Sequence, residues 1–174
     1  LPAVSFLKPP AYQDGHAQYS DPLDEQQFLV ETVNRLQRLP EWKDMAIVIV
    51  YDDSDGWYDH KPSPIVSASN VPEDALTGPG SCTGPDAGPV VYQGRCGYGP
   101  RLPLLVISPY ARPNFVDHTV TDQTSVLRFI EDNWGTGRIG DDSLDGRAGP
   151  LTGMFDFTGP RQPALTLDPR TGTS

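Results

Sequence analysis

Residues 51–60 read Tyr51-Asp52-Asp53-Ser54-Asp55-Gly56-Trp57-Tyr58-Asp59-His60, four carboxylates and an imidazole crowded behind a run of β-branched residues. Adjacent carboxylates repel unless a proton, a cation or an arginine intervenes, so Asp52 and Asp53 are the first candidates for holding a divalent metal. Open α/β sheets collect their ligands beyond the carboxyl ends of strands. Gly56 permits a tight turn that returns Asp59 and His60 towards the same rim, with His60 a ligand or an outer partner that orients one. The plain alternative is a solvated Asp/Ser/Gly turn. Asp55 and Asp59 match the composition of a calcium loop in part, but the spacing and terminal Glu of an EF-hand are absent. His118, between a strand exit and a helix start, can bind metal, assist a leaving group or cap the helix. His16, near Tyr12 and Tyr19, is a weaker candidate. There is no G-x-S-x-G elbow and no phosphate-cradling glycine loop.

The elements that must position these groups are few. Asp21-Pro22-Leu23-Asp24 predicts a helix start, with Asp21 as cap and Pro22 in the first helical position. Phe28 or Leu29, Val33 and Leu36 repeat at helical spacing as far as about Leu39, where Pro40 stops the run. Ala46-Ile47-Val48-Ile49-Val50 is apolar without alternation, which predicts a central strand covered on both faces. Leu102–Ile107 predicts a second. Thr121 or Asp122 is placed to cap a following helix, with Val126, Phe129, Ile130 and Trp134 facing inward. After Gly135 the chain shows little pattern and reads as loop. Helix, strand, long loop, strand, helix describes an α/β protein with part of a doubly wound sheet; two strands fall short of the usual number.

Composition sets the outer limits. The 174 residues include 19 Pro and 17 Gly, so much of the backbone is expected in loops. Residues 62–100 form a Gly/Pro-rich loop of unusual length. Lys and Arg number 13 against 23 Asp and Glu, a formal charge of −10, which repels nucleic acid and anionic membranes. A small phosphate ester remains admissible, because a metal or Arg95, Arg101, Arg112 and Arg128 can reverse the field locally. No stretch reaches the roughly 20 apolar residues of a membrane span. Cys82 and Cys96 suit a disulfide, which would remove about 3 kcal/mol of unfolded-state loop entropy. Such a bridge predicts a secreted or periplasmic setting, against two buried free thiols in the cytosol.

Several stretches together resemble the phosphoesterase family of phosphatidylcholine-type phospholipases C and related acid phosphatases. They are Tyr19-Ser20-Asp21-Pro22 with the Gln27-Phe28-Leu29-Val30 helix, Pro40–Ala46, the Tyr51–His60 cluster, Arg95–Ala111 and Val116–Trp134. The resemblance implies an alkaline-phosphatase-like catalytic fold and hydrolysis of phosphate mono- or diesters by a metal-bound Ser or Thr hydroxyl. It assigns Asp52 and Asp53 as metal ligands and brings His118, in a V-x-H-T segment, towards the site. Asp21-Pro22 stands where many relatives carry His-Pro, exchanging a phosphate-facing imidazole for a carboxylate, with His16 close in sequence to compensate. Asp55, Asp59 and His60 would shape the rim. In such proteins the nucleophile lies upstream of all the stretches seen here. The chain is therefore expected to be the carboxy-terminal portion of a catalytic domain, inactive alone and completed by an amino-terminal fragment of the same precursor. All-oxygen donors suit calcium, magnesium or manganese, and added imidazole admits zinc or iron. The competing readings are a non-catalytic calcium-stabilised binding module, with Trp57 and Tyr58 as a stacking surface, and a sulfatase-like hydrolase on the related fold.

Overall fold

The computed structural model describes residues 1–54, 59–61, 63–64, 67–68, 96–141 and 143–174, with residues 67, 68 and 96 described by their backbone alone. Two compact units emerge, Leu1–Val50 with Leu104–Ser174, and Tyr51–Pro103.

In the first unit, helix α1 runs Pro22–Leu36. Asp21 caps it as expected, accepting from the Leu23 N–H at 2.8 Å. Asp24 and Glu25 lie in the first turn and Arg35 in the last, each suited to the helix dipole. Phe28, Leu29, Val33 and Leu36 are half-buried, the stripe their spacing predicts. The helix stops at Leu36, short of Leu39, because a tighter turn over Pro40–Asp44 follows closely. The segment before α1 is more ordered than its lack of periodicity suggested. Ser20 Oγ accepts from the Gly15 N–H at 3.0 Å and donates to the Tyr12 carbonyl at 3.1 Å. Gly15 has φ +83°, a left-handed backbone that favours glycine.

Strand β1 (Ile47–Val50) pairs with β4 (Leu104–Ile107), Ile47 opposite Ile107 and Val50 opposite Leu104. The pairing is antiparallel, which corrects the doubly wound expectation for these two strands. An antiparallel return needs no crossover helix. The expected cover on both faces is also incomplete, since Val50 is 44 % and Leu105 49 % exposed. The chain is thus mixed α/β with a small antiparallel sheet. Ser108, buried just past β4, ties the pair together by donating to the Met45 carbonyl at 2.8 Å.

Helix α2 spans Thr124–Trp134. Of the two proposed caps, Asp122 is the one used. Its Oδ1 accepts from the Thr124 N–H at 2.7 Å, while Ser125 Oγ accepts from the Asp122 N–H at 3.0 Å. These are the reciprocal bonds of a capping box. Gly135 ends the helix in the left-handed region at φ +65°. Val126, Phe129 and Ile130 are half-buried, but Trp134 is 49 % exposed, so its inward assignment is corrected: it closes the last turn at the helix end.

The largest departure lies after Gly135. This stretch, read as loop with little pattern, supplies the most buried apolar residues described: Ala148, Leu151 and Phe155. Phe155 stacks on Phe129 of α2 at 5.1 Å and on Phe157 at 5.6 Å. Gly149 passes so close to the Val120 carbonyl that a Cβ would sit 2.0 Å from that oxygen. Gly149→Ala must therefore displace backbone, and a loss of about 1–3 kcal/mol in chemical denaturation is expected. Further on, side-chain amides replace apolar contacts. Asn34 donates to the Leu167 carbonyl at 2.7 Å and accepts from its N–H at 3.2 Å. Gln37 does the same with Leu165 at 2.9 and 2.8 Å. One face of α1 thus acts as a strand edge for the tail. Asn34→Ala should cost about 1–2 kcal/mol and open the tail to proteolysis, because Leu167 loses both backbone partners at once.

Candidate functional site

In the second unit, Asp52 and Asp53 follow β1 with one residue, Tyr51, between; both are exposed, and Tyr51 is half-buried. Asp55 lies outside the described residues, with Gly56, Trp57 and Tyr58. Asp59 is described in detail. Arg101 grips both its oxygens, Nη2 donating to Oδ1 at 2.8 Å and Nε to Oδ2. The Lys61 N–H adds a bond to Oδ1 at 3.2 Å. This two-pronged fork is the strong form of an arginine–carboxylate pair. The Arg101 guanidinium, then the Lys61 N–H, hold the Asp59 carboxyl well below the usual carboxylate range. His60 is exposed beside it.

Beyond Asp59 the two sides of this unit are laced together. Ser63 Oγ donates to the Tyr98 carbonyl, and the Tyr98 N–H donates to Pro64 at 3.1 Å. Strand β2 (Ser67–Ala68) then pairs antiparallel with β3 (Cys96–Gly97). The proposed Cys82–Cys96 bridge and most of the 62–100 loop lie outside the described residues.

The other candidates belong to the first unit. His118 is exposed and sits in a turn whose form Asp117 sets, its Oδ1 accepting from the Thr119 N–H at 2.8 Å. That N–H, then the Thr119 hydroxyl, with His118 and Arg112 nearby, keep the Asp117 carboxyl low. Arg112 braces the loop, donating to the Phe155 carbonyl at 3.2 Å and lying 5.1 Å from the Phe115 ring centre. His16 is half-buried and stacks face to face on Tyr19, 4.1 Å between ring centres. Asp21 has its carboxylate at the α1 cap.

Several depressed carboxyls fix the sign of an acid response. Asp59, Asp117, Asp132, Asp156 and Asp168 all lie below their ordinary value of 3.8. A depressed folded-state value means that the unfolded chain binds protons first as pH falls. Their stabilisation is therefore present above about pH 4 and lost below it. The urea midpoint should hold between pH 7 and 5 and drop by pH 3. An unchanged midpoint at pH 3 contradicts this account.

Among the described residues, no group of three or more His, Cys, Asp or Glu converges to hold a metal. Asp52 and Asp53 are hard oxygen donors of the right kind for such an ion, and a complete coordination sphere needs further ligands. Sequence reading named Arg101 only as a local positive; its partner, 42 residues away, has no sequence signal. It also passed over a groove of about 530 Å³ in the first unit, lined in part by Trp42, Asp44 and Tyr110. There Arg161 lies 3.5 Å from the Tyr110 ring centre, a cation–π contact.

Comparison with known proteins adds an independent line. The chain is 31 % identical over 173 residues to a non-hemolytic phospholipase C of Pseudomonas aeruginosa, covering 92 % of this chain and 24 % of that protein. It is 29 % identical over 161 residues to phospholipase C A of Mycobacterium tuberculosis, covering 92 % of this chain and 30 % of the relative. Non-specific phospholipase C1 of Arabidopsis thaliana is 34 % identical over 104 residues, 60 % of this chain and 17 % of the relative. The chain thus spans roughly a quarter of the first of these. No described helix is long and apolar enough to cross a membrane. A model of the phosphoesterase family matches residues 1–137, taking in α1, both strands of the main sheet, the acidic segment and α2; this chain belongs to the phosphoesterase family.

Proposed function

We propose that the complete protein hydrolyses phosphoric esters of the phospholipase C or acid phosphatase type, and that Asp52 and Asp53 bind a divalent metal for that reaction. The observation that carries this reading is an adjacent pair of exposed carboxylates directly after β1 in a member of the phosphoesterase family. Calcium, magnesium, manganese, zinc and iron are the candidate ions. A bound metal would lower the pKa of a coordinated hydroxyl and offset charge on the phosphoryl oxygens. The Ser or Thr nucleophile and the remaining metal ligands would come from polypeptide amino-terminal to this sequence, on an alkaline-phosphatase-like sheet. Val50 and Leu105, exposed on opposite faces of the strand pair, support that reading, since an antiparallel pair ordinarily leaves no more than one face to water. A secreted or periplasmic home fits the cysteine pair. His118, and His16 with Asp21, are the proposed groups on the substrate side.

The test is metal-dependent turnover by the complete protein. Stripping with chelator should abolish hydrolysis of phosphatidylcholine or a phosphomonoester, and one of the five ions should restore it. Metal binding without turnover of either substrate would instead favour a calcium-stabilised binding module, and turnover of sulfate esters alone a sulfatase-like enzyme.

A further inference from the structure

Along one side of α1, side-chain amides meet the backbone of the tail at every second residue. Gln37 pairs with Leu165 and Asn34 with Leu167, each amide donating to the carbonyl and accepting from the N–H of the same residue. Gln26 adds a single bond, donating to the Pro169 carbonyl at 3.1 Å. Asn34 and Gln37 are neighbours on the helix surface, and Gln26 precedes Gln37 by about three turns, so the three share one side. The amide row and the tail both belong to the first unit.

Every tail atom in these bonds is a main-chain atom. The row reads Leu165, Leu167 and Pro169 and skips Thr166 and Asp168, the two-residue repeat of an extended chain. Where a residue is gripped through its N–H as well as its carbonyl, proline is excluded; at Pro169 only the carbonyl is used, and proline is tolerated. The outward side chains add little, since Leu165 is 61 % exposed and Thr166 and Asp168 are exposed as well. The helix side is the reverse. Asn34 and Gln37 are buried, and a buried amide without a partner is costly. This side of α1 therefore selects an extended backbone rather than a particular sequence. Strand addition at a sheet edge draws its affinity from main-chain hydrogen bonds in the same way.

We propose that Gln26, Asn34 and Gln37 form a docking site for an extended polypeptide strand, read through its backbone, with Leu165–Pro169 as the tethered occupant. The partner it fits is a strand with free N–H groups at the two positions facing Gln37 and Asn34. The tail of a second copy meets that requirement and takes the place of the first when the first is released.

The experiment uses the complete protein, amide exchange in the tail, and a labelled synthetic peptide of residues 163–171 followed by fluorescence anisotropy. In the wild-type protein the Leu165 and Leu167 N–H groups should exchange about tenfold more slowly than that of Thr166, and Asn34→Ala should remove the protection at Leu167. Leu167→Pro deletes one gripped N–H and frees the tail while leaving the amide row intact. That variant should capture the peptide about tenfold more tightly than the wild type, whose site is filled. A peptide carrying Leu165→Ala and Thr166→Ala should match the parent peptide within about threefold. A peptide carrying Leu167→Pro should not bind, and adding Asn34→Ala to the Leu167→Pro protein should abolish capture. Equal exchange at Leu165, Thr166 and Leu167 in the wild type overturns the proposal without any variant. A Leu167→Pro protein that ignores the peptide overturns it too, as does binding that follows the Leu165 and Thr166 side chains instead of the backbone.

Discussion

Asp52→Asn and Asp53→Asn, each made in the complete protein, are expected to lower phosphoric-ester turnover by about 10³-fold. Asparagine keeps the size and one oxygen donor but removes the charge. A metal acting as a Lewis acid contributes several kcal/mol to the transition state, and about 4 kcal/mol corresponds to 10³ in rate. Metal affinity should fall in parallel, with folding unchanged, because both residues are exposed and relief of their repulsion offsets any lost contact. Asp156 supplies the control. It too is exposed, but its Oδ1 accepts from the Thr158 and Gly159 N–H groups at 2.9 Å each. Asp156→Asn should leave turnover within twofold of wild type, so that loss of one negative charge is separated from loss of a ligand. Wild-type turnover in both Asp52→Asn and Asp53→Asn would remove the assignment. Assaying phosphatidylcholine and a phosphomonoester in parallel would also decide between the two substrate classes.

Phe155→Ala is expected to produce the largest loss of stability, about 3–5 kcal/mol. Phe155 is 4 % exposed and stacked between Phe129 and Phe157. Its N–H and carbonyl are also committed, to Thr152 and to Arg112, so the backbone around it has little freedom to collapse into the space. Against a typical domain stability of about 5–15 kcal/mol this is a large share. Phe157, 58 % exposed, offers a contrast within the same stack: Phe157→Ala should cost less than about 1.5 kcal/mol. Urea denaturation of the two variants tests the ranking. Equal losses would mean that Phe155 is not the centre of this packing.

The contrast between these sites explains what could be read in advance. Asp52-Asp53 was legible because its chemistry is local: two neighbouring carboxylates after an apolar run raise the question of a counter-charge wherever the chain goes. Asp21-Pro22 was legible for the same reason, since a cap acts on the next two residues. Phe155 was not, because its stack on Phe129 joins it to α2, a separate element, and no periodicity marks its own segment. The Asn34 and Gln37 amides were invisible too, as their partners at Leu167 and Leu165 lie more than a hundred residues away in sequence.

For this protein, then, the order of chemistry along the chain came from sequence alone: a capped helix, an apolar strand, an acidic cluster, a second strand, and a histidine before a second helix. Those features depend on neighbours within a turn or a strand, where propensity and periodicity act. Only the tertiary structure decided that the two strands run antiparallel, that the unpatterned tail builds the most buried packing, and that Arg101 pairs with Asp59. Each of these is a contact between residues far apart in sequence. Their energy depends on where the chain returns, and no local pattern encodes that.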